Sequence, residues 1–282
     1  MKILANATPD EIVRLLLLFP LANLKSEWPE FNTDKAQLCA AAATTGDFKR
    51  IALFVANNFG ACKQHIYVRK PSLGDEAVVP ISVPKCQTLF SVPGQRGVFL
   101  ARKEFEVVDP DTLTRSTFNF LWPVLVQAFF SRLVVRFVML EKNVGARAES
   151  RVLVANKGIQ ELDVLANVHP VGLGPEDLHK GIKALWREDF VDSFRLKLMK
   201  PESTSEETMH RAKGIKKLKP DLFKEAMDHE LLFAAFSLEP LANSTVHNFS
   251  IKPAEGYLAV GRYTDRNEDV ENVVAEIIKR NQ

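Results

Sequence analysis

The chain has 282 residues, 46% of them hydrophobic and 26% charged, with 37 Lys and Arg against 35 Asp and Glu and a net charge of +2. Apolar residues spread along the whole length exclude a globally disordered chain. The near-neutral balance excludes a surface that is basic throughout, as a polybasic nucleic-acid binder would show.

The opening residues do not read as a secretory leader, because Asp10, Glu11 and Arg14 interrupt what would have to be its apolar region. The longest apolar run, residues 15–24, contains Pro20 and is about half the roughly twenty residues that a spanning helix needs. Cys39, Cys62 and Cys86 are odd in number and lack C-x-x-C spacing, so an intracellular reducing compartment fits better than a disulfide framework. The N-x-S/T sequons at Asn6, Asn243 and Asn248 carry no weight without a secretory route.

Residues 1–65 are expected to form a small helical bundle. Thr8-Pro9-Asp10-Glu11 combines a capping Thr, Pro in the first turn and acids at the positive helix end, with Glu11 at the capping-box position. Pro20 stops that helix, and Pro29 ends a second over residues 21–28. Asp34 opens a third that runs to Gly46, and Asp47 caps a fourth. Residues 66–116 form a Pro-punctuated, β-rich connecting segment, with strands expected at 66–68, 78–83, 88–92 and 98–108. Residues 117–131 are apolar nearly all round and are expected to form a buried helix, with Phe118, Trp122 and Phe130 in the core.

A third region, 117–282, alternates strands and helices. Residues 133–140 and 150–155 suggest a hairpin around 142–147, and 162–168 a further strand. A helix follows over 175–187, then an alternating strand over 191–199 and a polar linker over 201–207. A basic helical stretch ends near Asp228, three strands follow at 230–238, 246–252 and 256–263, and an amphipathic helix closes the chain over 267–280. The fold class is α+β: a small N-terminal all-helical bundle followed by a largely antiparallel sheet with packed helices.

No phosphate-binding glycine loop, nucleophile elbow or metal-ligand spacing is present. Gly172-Leu173-Gly174 reads as a turn, and Cys39 as a buried thiol in a helix core. No cofactor is implied and nothing argues for an enzyme. An enzyme that lacks short motifs and a protein-interaction scaffold without DNA contact stay as alternatives.

Basic residues cluster locally. Residues 1–72 and 91–151 each carry nine Lys and Arg against six acids, and Arg211, Lys213, Lys216, Lys217 and Lys219 form a third group. Such clusters suit phosphate contacts. Exposed aromatics suited to base stacking are not evident, which disfavours single-strand binding and leaves duplex backbone or an acidic protein surface.

The layout resembles the centromere protein N family of kinetochore subunits. The likeness rests on Asp10-Glu11-Ile12-Val13 with Phe19-Pro20-Leu21-Ala22-Asn23-Leu24, on Ala52-Leu53-Phe54-Val55 with Asn58-Phe59 and Lys63-Gln64-His65, on Phe118-Asn119-Phe120 through Leu133-Val134-Val135-Arg136-Phe137, and on Tyr257-Leu258-Ala259-Val260 with residues 269–278. The resemblance implies a non-enzymatic, nuclear reader of the centromeric nucleosome. Asp10 and Glu11 would meet a histone arginine. Arg14, Lys25, Lys49 and Arg50 would contact phosphates from the bundle, and Arg132, Arg136, Lys142, Arg147 and Arg151 from the central region. The C-terminal sheet would pair with a centromere protein L-like subunit or a second copy of the chain. Residues 71–110 match nothing in that family, and the basic patches are thinner than a DNA-gripping surface requires.

Overall fold

The computed structural model describes residues 2–72, 77–108, 112–140, 153–154, 156–169, 172–208, 214–238, 248–264 and 267–282. Four helices open the chain: α1 (Pro9–Leu17), α2 (Leu21–Glu27), α3 (Lys35–Thr44) and α4 (Phe48–Asn58). The Thr8 hydroxyl accepts from the Glu11 amide while the Glu11 carboxylate accepts from the Thr8 amide, closing a capping box. Asp34 and Asp47 cap α3 and α4 by accepting from the amides of Gln37 and Arg50. Leu15, Leu16, Phe19, Trp28, Leu38 and Phe54 fill the space between these helices, with the Phe54 ring 4.9 Å from both Phe19 and Trp28.

The next elements are β1 (Gln64–Pro71), β2 (Cys86–Val92), β3 (Arg96–Val108), β4 (Arg115–Phe129), β5 (Arg132–Val138), β6 (Leu153–Val154), α5 (Lys157–Val168), β7 (Leu173–Pro175) and α6 (His179–Arg187). Then come β8 (Val191–Lys200), β9 (Ser203–Thr208), α7 (Ile215–Leu218), α8 (Pro220–Asp228), β10 (Glu230–Leu238), β11 (Asn248–Lys252), β12 (Tyr257–Val260) and α9 (Asn267–Asn281). The strands form one antiparallel sheet in the order β2-β3-β4-β5-β1-β12-β11-β10-β8-β9, with β6 on the far end of β3 and β7 on the far end of β1. The architecture is α+β, with the helical bundle ahead of the sheet. No helix among the described residues is long and apolar enough to cross a membrane.

Strand pairing assigns the faces. One carries Val98, Leu100, Leu125, Ile66, Val68, Leu258, Val260, Ile251, Phe236, Leu196 and Leu198. The bundle packs on its β2–β4 side and α6 to α9 on its β1–β8 side. The other face carries Phe99, Phe105, Trp122, Val135, Phe137, His65 and Tyr67; α5 and the extended residues 77–83 cover that half of it.

Several expectations change. Residues 117–131 form strand β4, not a helix. Phe120 to Gln127 are buried on both faces, and a strand covered on both sides shows the same unbroken apolar run as a buried helix. Pro123 lies one residue outside the β4–β5 ladder, where its missing N–H is not needed on that side. Phe130, expected in the core, sits at the β4–β5 turn and is 60% exposed. Residues 162–168 belong to α5, whose Glu161, Val164, Leu165 and Val168 recur with helical period on its buried side. Residues 78–83 form no strand. Pro80 and Pro84 remove ladder donors there, yet Val79 and Val83 are buried against the sheet.

The linker at 201–207 is largely strand β9, paired with β8 through a tight turn. Leu173-Gly174-Pro175 is strand β7, not a turn, and α6 begins only at His179. Leu153 and Val154 pair with β3, so they make no hairpin with β5. The turn expected at 142–147 lies outside the described residues.

Candidate functional site

Among the described residues, the cations singled out by clustering differ in exposure and in partners. Lys25, in the last turn of α2, and Lys49, in the first turn of α4, are exposed. Asp10, in the first turn of α1, is also exposed. Arg14 is half-buried, donating to the Asn119 carbonyl at 3.3 Å and lying 5.2 Å from the Phe118 ring centre. Arg50 pairs with Glu27 at 2.9 Å and Glu30 at 2.8 Å and stacks on Trp28. Glu11 is 2% exposed; besides closing its capping box it accepts from Nε and Nη2 along one edge of Arg102, at 2.7 and 3.0 Å.

The β5 arginines face inward. Arg132 lies 2.8 Å from the Glu176 carboxylate and donates to it at 3.1 Å. Arg136 is 1% exposed. It donates to Gln64 at 2.6 Å, Gln127 at 3.1 Å, Glu271 at 3.2 Å and Asn267 at 2.7 Å, tying β1, β4 and β5 to α9. Burial pushes its guanidinium down to about 10, against the opposing charge of Glu271. Lys142, Arg147 and Arg151 lie outside the described residues, as do Arg211 and Lys213. Lys216 pairs with Asp189, and Lys219 with Glu207 at 2.8 Å. Cys39 is buried, and burial pushes its thiol up to about 12, so it is an inert core group.

A polar cluster that the sequence does not announce lies between α5 and the sheet. Tyr67 Oη donates to Glu161 at 2.6 Å. His65 Nδ1 lies 3.0 Å from the other Glu161 oxygen, off hydrogen-bond alignment, and Lys157 Nζ is 2.9 Å from His65 Nε2. Tyr257 stands edge-on to His65, with ring centres 5.5 Å apart. Burial opposes ionisation of Glu161, yet the proximity of His65, Tyr67 and Lys157 holds its carboxyl below the ordinary value. His65 and Tyr67 share a face by the two-residue period of β1; Lys157 and Glu161 share one by the four-residue helical spacing. No local signal joins the two pairs, since more than ninety residues separate them.

Beyond α5 the same sheet face continues over β12, β11, β10 and β8, and the described helices pack on the opposite side of these strands. It presents Arg195, Lys197, Met199, Phe233, Ser250, Lys252 and Tyr257. Arg195 lies 5.3 Å from the Phe233 ring centre and pairs with Glu206 at 2.8 Å. Lys252 lies 5.9 Å from Tyr257, a spacing at the outer limit of a cation–π contact. Arg195, Lys197, Glu206, Leu232, Phe233 and Lys252 line a shallow hollow of about 320 Å³. The rings here belong to alternating strands whose outward positions cannot be told from inward ones until register is known.

Among the described residues no group of three or more His, Cys, Asp and Glu is arranged to hold a metal ion. Comparison with known proteins finds no matching family model, no matching curated protein and no matching solved structure.

Proposed function

We propose that this is a non-enzymatic binding protein that reads chromatin by gripping nucleic-acid backbone, with the outward face of β8, β10, β11 and β12 as its working surface. The observation that carries this reading is the row of Arg195, Lys197 and Lys252 interleaved with Phe233 and Tyr257 on that face. Cations held over rings keep their charge toward solvent while the rings limit their wandering, which suits them to phosphates. The resemblance to centromere protein N supplies the partner class, a nucleosome. Lys25 and Lys49, exposed on the bundle, are the second contact it implies.

The test is a gel-shift titration of a mononucleosome and its matching free DNA at two salt concentrations. Binding is expected to weaken steeply with salt. Reversing Lys197 and Lys252 together to Glu is expected to reduce the logarithmic salt slope by about two. Reversing Lys25 and Lys49 tests the bundle contact separately. Absence of micromolar binding at low salt, or a slope unchanged by both pairs of reversals, overturns the proposal.

A further inference from the structure

A cleft of about 820 Å³ opens between α5, the far end of β1 and β7, lined by Tyr67, Arg69, Leu162, Leu165, Leu173 and Pro175 among others. Its walls are mainly aliphatic. Its polar lining comprises Arg69, Tyr67, Ser72 and Glu255. Arg69, its one cation, is 8% exposed, with its guanidinium 4.8 Å from the Tyr67 ring centre. Nη1 donates to the backbone carbonyls of Glu255 at 2.7 Å and Val68 at 3.4 Å. Nε and Nη2, the edge that grips a carboxylate with two parallel bonds, have no partner among the described residues.

The neighbouring carboxylates are already occupied. Glu161 is held by Tyr67 and His65, Glu255 by Lys252 at 3.0 and 3.1 Å, and Glu176 by Arg132 and Asn281. Burial pushes the Arg69 guanidinium below its ordinary value, with Tyr67 and Glu255 opposing. A buried cation whose carboxylate-gripping edge is left open is costly, and this one lies, with the Lys252-paired Glu255, in the lining of a mainly aliphatic space of the size that takes small ligands.

We infer that the cleft binds a small aliphatic monocarboxylate, its head on the free edge of Arg69 and its chain along Leu162, Leu165 and Leu173. The inference is independent of chromatin binding, because Arg195, Lys197 and Lys252 do not line the cleft.

The test is isothermal titration calorimetry of the full chain with octanoate, and with uncharged 1-octanol as the matched probe. Octanoate is expected to bind saturably and more tightly than octanol. Arg69→Met is expected to weaken octanoate by about tenfold or more, the worth of hydrogen bonds to a charged group, and to leave octanol unchanged. Leu162→Glu places a like charge at the cleft; Leu162 is 64% exposed, so the fold tolerates the change. It is expected to weaken octanoate in the same direction, which keeps the test decisive even where Arg69→Met fails to fold. No saturable octanoate binding by the unaltered protein, or octanoate binding unchanged in Leu162→Glu, overturns the inference.

Discussion

Arg136 and Lys49 were both candidate phosphate contacts, and their surroundings separate them. Removing Arg136 as Met leaves the Glu271 carboxylate and the carbonyls of Gln64 and Gln127 facing a buried gap. A loss of about 3–5 kcal/mol in urea denaturation is expected, whereas Lys49→Met on the exposed first turn of α4 should stay within about 0.5 kcal/mol. Glu161 gives a pH prediction. Its folded carboxyl sits below the ordinary value, so it contributes stability above the unfolded value of about 4.3. That contribution is lost as pH falls through the folded value. Glu161→Gln is therefore expected to be less stable at neutral pH and to show a shallower acid limb when denaturation is repeated from pH 7 downward. An unchanged acid limb would assign that slope to other carboxylates. These roles were hidden in the sequence for one reason. The clusters of cations are local, but their partners are distant: Glu11 for Arg102, Glu27 for Arg50, Glu271 for Arg136.

At the scale of elements, what was legible depended on whether local chemistry decided the conformation. The starts of α1, α3 and α4 follow from Thr8, Asp34 and Asp47, whose side chains bond the amides three residues on. The alternation of β8 and the stripe of α9 were legible because each buries one side only. β4 was not, since packing on both faces erases the alternation that marks a strand. The meeting of α6 and α9 is a further tertiary constraint. A Cβ added at Gly181 would come 2.2 Å from the Ile277 carbonyl oxygen, too close for the helices to remain where they are. Gly181→Ala gains about 1 kcal/mol of helix propensity. It is nonetheless expected to destabilise by about 1–3 kcal/mol, because the two helices must separate. Thermal denaturation of this single variant decides it: a rise in Tm would mean that α9 moves away freely.

The whole molecule is organised around β1, which pairs with β5 on one side and β12 on the other. One sheet thus runs under both halves of the helical layer, and the three tryptophans sample it well: Trp28 in the bundle, Trp122 on β4 and Trp186 on α6. Variants retaining a single tryptophan are expected to report coincident urea transitions. Separate midpoints would instead divide the chain into independently folding parts. The position of β1 also sets a timetable for synthesis. As the chain leaves the ribosome, β1 gains β5 and then, at residues 69–71, β7, but residues 64–67 of that second flank wait for residues 257–260. Until then the ribbons of β8 to β11 have no strand through which to join the first half. The nascent protein therefore carries an open internal seam until β12 has been made, and β12 with the helix that follows acts as the fastener that closes it.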